Sequence, residues 1–291
     1  MLVAIQDFEH AEKVMNCLEL FVNTGVGSEE RLTLVYLQLG KQLQEQIQTL
    51  RQNGNTEALR GITRGFEGFL DRISARKEGN TYLTLRWVAD TYFNFGLGLK
   101  PLAAETGAGE GAAGGESAAG EGAPAGEAAG DSQDLTAAAE YFKKAGKTYQ
   151  TILKRINAEP EWAGSPNAKV ATTLRMSESL RELGRYGDAV KTLIPILETN
   201  ETNLELQTGA VMILQEWGKK SHALYARAIQ GAVPKSNGKN LVWGWNRLIA
   251  LLSRNIDKSA QFKEKFYDAV LNIMECRVRW IAGLGDPAER A

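Results

Sequence analysis

Apolar positions along this chain follow a helical rhythm almost from end to end. Apolar side chains recur at spacings of three and four residues, and the every-second-residue alternation of a half-buried strand is absent. The pattern predicts about eleven helices, over 6–22, 29–52, 57–76, 81–95, 135–157, 167–183, 186–198, 203–217, 219–230, 241–254 and 260–282. Their ends carry matching chemistry. Ser28, Asn55 and Asn80 sit where a side-chain oxygen can accept from the free amides of a first turn. Gly25, Gly54, Gly184, Gly218 and Gly231 sit where a last turn must reverse. Connections of a few residues make sequence neighbours pair as antiparallel hairpins, which gives an all-α fold class.

One stretch breaks the rhythm. Residues 85–123, LRWVADTYFNFGLGLKPLAAETGAGEGAAGGESAAGEGA, open as an amphipathic helix rich in aromatics and then dissolve into Gly, Ala and Glu. Residues 101–132 carry six acids (Glu105, Glu110, Glu116, Glu121, Glu127 and Asp131) and no base. Their low hydrophobicity and uniform charge leave nothing to bury, so a disordered low-complexity segment is expected there. The net charge of −1 therefore leaves +5 on the rest of the chain. Spread over many helices, that excess is too dilute to indicate nucleic acid as a partner.

A fixed period distinguishes a stack of hairpins from a bundle. Gly184 and Gly218 are 34 residues apart, and so are Ala189 and Ala223, within ATTLRMSESLRELGRYGDAVKTLIPILETN and LELQTGAVMILQEWGKKSHALYARAIQ. At these points the chain resembles the tetratricopeptide repeat: a helix with a small residue near its middle, a glycine turn, and a second helix opening on alanine. The resemblance puts Met176, Ser177 and Leu180 on the inward face of one first helix and Gly184 at its turn. Tyr186, Ala189, Leu193 and Ile196 then follow on the second helix. The next unit keeps Leu214, Gly218 and Ala223, but has no tryptophan at the fourth position and no closing proline.

The same template accounts for the interrupted stretch. Leu85, Val88, Ala89, Tyr92 and Gly96 fit a first helix and its turn, and Ala138, Ala139, Phe142 and Ala145 fit the start of a second. Turn glycine and contact alanine are five residues apart in Gly184/Ala189 but 42 apart in Gly96/Ala138, an insertion of 37 residues in one hairpin loop. Loop closure costs only about 0.6 kcal/mol per doubling of length, so a repeat tolerates it. Upstream, Leu39, Gly40 and Leu43 match a first-helix core, with Phe66, Phe69 and Leu70 on the second; downstream, Trp245, Leu248 and Leu252 keep the inward face of a last pair. The resemblance thus implies one right-handed superhelical solenoid over 1–291, of a kind found among large bacterial repeat proteins.

Candidate chemistry changes this picture little. Gly146-Lys147-Thr148 copies the end of a phosphate loop, but Tyr141 stands where its first glycine belongs and the fragment lies inside a helix. The glycines from Gly107 lack a preceding strand and a following helix, so a spacer is expected rather than a dinucleotide loop. His10 and His222 have no partners at ligand spacing, and Asn200-Glu201-Thr202 reads as an inter-repeat turn. Cys17 and Cys276 are read as buried small hydrophobes. Trp87, Trp217, Trp243, Trp245 and Trp280 fall at helical spacing as core residues, with Trp243 the candidate for exposure. No nucleophile, base and orienting group combine, so neither an enzyme nor a metal or cofactor is expected. The start MLVAIQDFEHAEKVM turns acidic within seven residues, and no apolar run approaches the roughly 18 residues of a membrane span. A cytoplasmic location follows by default. Met1 at the edge of a helical pattern, uncapped, points to a longer parent protein.

Stacked hairpins leave their first helices lining an extended concave surface, the surface such solenoids use for partners. Carried over from the resembling family, the groove positions are Arg86, Asp90 and Asn94; Arg175, Glu178 and Arg181; Thr208, Met212 and Gln215; and Trp243, Asn246, Arg247 and Arg254. Arginine can hold a carboxylate through two parallel hydrogen bonds, and Trp243 or Met212 can add apolar contact. A protein or peptide partner is therefore expected, with specificity from Arg175, Arg247 and Trp243. The lysine and asparagine set of the family's chaperone-tail binders is absent. Two alternatives stand beside this reading. The arginines can simply pair with Asp90, Glu178 or Glu182 on neighbouring turns, or the chain can be a structural spacer that self-associates through its stacking faces.

Overall fold

The computed structural model describes residues 29–75, 80–100 and 125–283, with single helical positions at Lys13, Cys17 and Leu20. The helix expected over 6–22 otherwise lies outside the described residues. Ten helices and one two-stranded ribbon are described, so the class is all-α. They fall into two compact units, residues 1–166 and 167–291.

The first unit holds α1 (Glu29–Gln52), α2 (Thr56–Ala75), α3 (Tyr82–Leu99), α4 (Ala125–Ala158) and a 3₁₀ turn at Pro160–Ala163. Asn55 caps α2 by accepting from the Ala58 amide at 3.1 Å, and Gly54 reverses the chain before it at φ +65°. At α3 the cap is Thr81, which accepts from Thr84; the expected cap, Asn80, instead donates from a buried side chain to the Ile73 carbonyl. α3 is apolar and buried over most of its circumference, with Arg86, Asp90 and Asn94 marking the one part-exposed face, as befits a central helix.

α3 and α4 pair as the interrupted hairpin requires. Contacts step from Asn80 with Arg155, through Asp90 with Tyr149, to Phe93 with Phe142, so the two helices run antiparallel. α2 and α4 are linked in parallel at almost constant offset, by Arg60 with Asp134, Glu67 with Tyr141 and Asp71 with Lys144. Two details differ from expectation. Gly96 does not end α3: it lies inside the helix, where a Cβ would come 2.6 Å from the Phe142 ring, so close approach and not reversal requires glycine there. The expected disordered segment 101–132 lies outside the described residues up to 124, but its last eight residues already belong to α4. Ala125, Glu127, Ala128 and Ala129 are strong helix formers that extend a helix anchored downstream.

The second unit holds α5 (Ala168–Glu182), α6 (Tyr186–Thr199), α7 (Leu204–Gly218), α8 (Ala223–Gln230), β1 (Gly231–Pro234), β2 (Asn240–Trp243), α9 (Trp245–Ser253), a 3₁₀ turn at Ile256–Lys258 and α10 (Ala260–Gly283). Repetition is visible in its packing. Leu174 of α5 lies against Gly209 of α7, and Arg181 of α5 is 3.7 Å from Glu216 of α7. Both pairs are separated by 35 residues, so α5 and α7 lie side by side and parallel, as first helices of successive hairpins do. Gly184 ends α5 at φ +68°, as its place in the repeat predicts. Ser177, Ala189 and Leu193 are fully buried.

The second of these hairpins departs from the template. Lys219, Lys220 and Ser221 donate three residues back in tight turns, so α8 starts late and Ala223 is exposed at its first position. Tyr225 fills the contact instead, and a Cβ on Gly218 would come 2.7 Å from its ring. Residues 241–243, expected as helix, form β2, whose antiparallel register pairs Gly231 with Trp243 and Ala232 with Val242. A three-residue apolar run is ambiguous between helix and strand. Here Gly231 at φ +100° ends α8 and turns the chain back, and Gln207 completes the ribbon: the Trp243 amide donates to Gln207 Oε1, and Gln207 Nε2 donates to the Leu241 carbonyl.

Candidate functional site

The positions carried over from the repeat family separate by environment. In the first unit, Arg86 donates to Asp90 at 3.4 Å and to the Tyr82 hydroxyl, while Tyr149 donates to the other Asp90 oxygen. Burial works against charge on Arg86, but Asp90 and Tyr82 outweigh it and hold its pKa above the ordinary value. Asn94 is half-buried on the same helix. Nearby, α2, α3 and α4 enclose a cleft of about 250 Å³ lined by Asp71, Leu85, Tyr92, Lys144, Lys147 and Thr148. Lys144 donates to both Asp71 oxygens and to Glu67, and Tyr92 donates to Asp71. Burial first, then the Asp71 hydrogen bond, pushes the Tyr92 hydroxyl pKa far up. Lys147 and Thr148 run mid-helix in α4, so their backbone amides are committed to the helix and present no phosphate cradle.

In the second unit, Arg175 donates to Glu178 at 2.8 Å and Arg181 to Glu182 at 2.9 Å. With Arg86 and Asp90, all three neighbouring-turn pairings available to these arginines are formed. Arg181 is the most enclosed of them, its side chain 17% exposed against a Glu182 side chain 5% exposed. Burial opposes its charge, but Glu216 and Glu182 hold its pKa above the ordinary value. Gln215 is withdrawn from any surface: it accepts from the Trp245 indole and donates to Asn272 and Glu275. Met212 is half-buried against the core and Thr208 half-buried on α7. Asn246 is exposed on α9 and Arg254 at its C-cap, with Arg277 donating to Asn246 at 3.4 Å.

Arg247 is arranged differently. Its guanidinium carbon lies 4.0 Å above the centre of the Trp243 ring, and a Glu201 carboxylate oxygen lies 3.9 Å away. Trp243 is the candidate for exposure in the sequence, yet it is only 3% exposed and belongs to the second unit's core. Its ring lies beneath the guanidinium at cation–π distance, while the Arg247 side chain stays 46% exposed. Glu201 accepts from Lys235 at 2.7 Å, and that bond, helped by Trp243 and Arg247, holds its carboxyl below the usual carboxylate range. Neither Glu201 nor Lys235 is recognisable as part of this cluster from the sequence, because the ribbon that carries Lys235 back to Glu201 is itself unexpected.

The remaining candidates have structural surroundings. His222 precedes α8, its ring 6.1 Å from that of Tyr225 and in contact with Gly283. Cys276 is buried, and burial pushes its thiol up to about 12, which disfavours the nucleophilic thiolate. Cys17 is exposed rather than buried. Among the described residues, no group of three or more His, Cys, Asp or Glu could hold a metal ion, and no helix is long and apolar enough to cross a membrane.

No family model matches the chain, and no curated protein matches it. Among solved structures it is similar to a de novo designed helical repeat protein, at 17% identity over 88% of this chain and 98% of that one, with a TM-score of 0.33. A likeness of that degree carries no argument. The helical-repeat character rests on the chain's own packing, in the parallel registers of α2 with α4 and of α5 with α7.

Proposed function

We propose that the chain is a non-catalytic scaffold of tetratricopeptide-like type that binds a protein or peptide through the groove face of its first helices, with Arg247 as the principal recognition residue and Arg175 in support. The observation that carries this reading is the Arg247 guanidinium placed over a buried tryptophan, half-exposed and only loosely approached by Glu201. A guanidinium fixed in this way loses little freedom when it forms a two-pronged pair with a carboxylate. The partner chemistry is accordingly an acidic side chain or a C-terminal carboxylate. Arg175, exposed on α5, reaches a second acidic position by exchanging its Glu178 pairing, which is worth little at an exposed i,i+3 site.

Affinity capture from native lysate tests this reading, using the intact chain beside Arg175→Glu/Arg247→Glu once circular dichroism shows both are folded. A partner retained by the first and lost by the second is the expected result. Equal retention overturns the assignment of the two arginines, and capture of nothing above background overturns the scaffold reading.

A further inference from the structure

The C-terminal helix α10 has two apolar seams, and the second unit uses only one. Phe262, Phe266, Ala269, Ile273, Cys276 and Trp280 face the unit's own core. Tyr267, Leu271, Met274, Val278 and Ile281 face away from it and are 52–68% exposed. Those five recur at alternating steps of four and three residues, the 3.5-residue spacing by which one helix packs along another. Together they expose several hundred Å² in one continuous strip, at the upper end of what a monomer ordinarily leaves in a single patch.

We propose that this second seam is the interface for a second copy of the chain, with the two α10 helices packed side by side and parallel. The charges beside the seam select both the occupant and the orientation. In the heptad set by these five residues, one rim carries Asp268 and Glu275 and the other carries Lys263 and Arg277. A parallel two-fold pair brings the acidic rim of each copy against the basic rim of the other, with Lys263 opposite Asp268 of the second copy. An antiparallel pair would set acid against acid and base against base. Glu275 is already engaged by Arg279 and Gln215, and Arg277 by Asn246, so Lys263 and Asp268 carry the selection. With both rims included, the strip comes within reach of the roughly 800 Å² per partner of a standard interface. The pairing is isologous, each seam meeting its own copy, and it closes at two chains. It leaves Arg175 and Arg247 outside the contact, so it is independent of the binding reading above.

Light scattering after size exclusion, over a range of concentrations of the full chain, reads the mass directly. The expected result is a species at twice the 31.8 kDa chain mass, returning to one chain mass in Leu271→Glu/Val278→Glu. Arg175→Glu/Arg247→Glu should keep the doubled mass. A single chain mass at every concentration overturns the proposal, as does a dimer that persists in a folded Leu271→Glu/Val278→Glu chain. Orientation is read by Val278→Cys in a Cys17→Ser background under mild oxidation. In-register parallel helices place the two introduced thiols face to face, so a covalent dimer is expected. A dimer that does not cross-link overturns the parallel register. Because Val278 is exposed, this second variant also keeps the test decisive if the double glutamate does not fold.

Discussion

Two arginines on the same helix show how environment alone decides what a charge does. Arg175 and Arg181 are both on α5, and each donates to a glutamate close by in sequence. Arg175 lies in solvent, where screening and side-chain entropy cancel most of the attraction. Arg181 is enclosed with Glu182 and approached by Glu216, so removing it takes away the positive charge that offsets a nearly buried carboxylate. Replacing Arg181 by Met should therefore lower the unfolding free energy by about 3 kcal/mol, while Arg175→Ala should change it by less than about 0.5 kcal/mol. Urea unfolding of the two variants beside the parent chain measures both. Equal effects would mean that Glu182 finds another donor when Arg181 is lost. Arg247 represents a third situation, in which the charge is neither paired in solvent nor enclosed with its partner but held over an aromatic face, and that is why it and not Arg181 is the recognition candidate.

Among the elements, the ribbon β1–β2 depends on one side chain from another helix. Gln207 is fully buried on α7, where it accepts from the Trp243 amide and donates to the carbonyls of Leu241 and Glu201. Gln207→Leu keeps the volume but leaves a buried amide and two carbonyls without these partners, so a loss of about 2–3 kcal/mol is expected, with the near-ultraviolet tryptophan signal altered first. An unchanged signal with unchanged stability would show that the ribbon is held by its own strand pairing. Nothing in the sequence around Gln207 announces this role, because its partners lie 34 and 36 residues away. The elements that were legible are those whose chemistry is local. The span of α1, the Asn55 cap and the Gly184 reversal follow from spacing and capping alone, and the pairing of α3 with α4 across the interrupted stretch follows from the resemblance to a repeat. What spacing misplaced was settled by distant side chains at Gly96 and β2, through Phe142 and Gln207, and at the start of α8 by the tight turns of Lys219 to Ser221 with Tyr225 seated on Gly218. The outer seam of α10 was not read, although its five residues keep heptad spacing in the sequence. The inner seam on the same helix conceals it until packing shows which face is used.

For the molecule as a whole, the question is whether helix stacking makes one cooperative body or two. Residues 167–291 contain a complete apolar core, running from Leu180 through the Leu193 and Ile213 layers to Trp245, Leu248 and Cys276. Every residue of that cluster comes from within the unit, and the buried amides of Gln207 and Gln215 find their partners there too. Repeat proteins draw stability from each hairpin and its nearest neighbours, so a segment with its core intact should not need the rest of the chain. Expressed alone, residues 167–291 should retain helical circular dichroism and unfold in a single cooperative transition. The same fragment bears Arg175, Arg247 and both seams of α10, so it should also keep the doubled mass and the arginine-dependent capture of the full chain. A fragment that is helical but melts without a cooperative transition would show that residues 1–166 supply part of the core energy. Loss of the doubled mass from a cooperatively folded fragment would instead mean that the first unit contributes to the dimer, and would assign part of the interface outside α10.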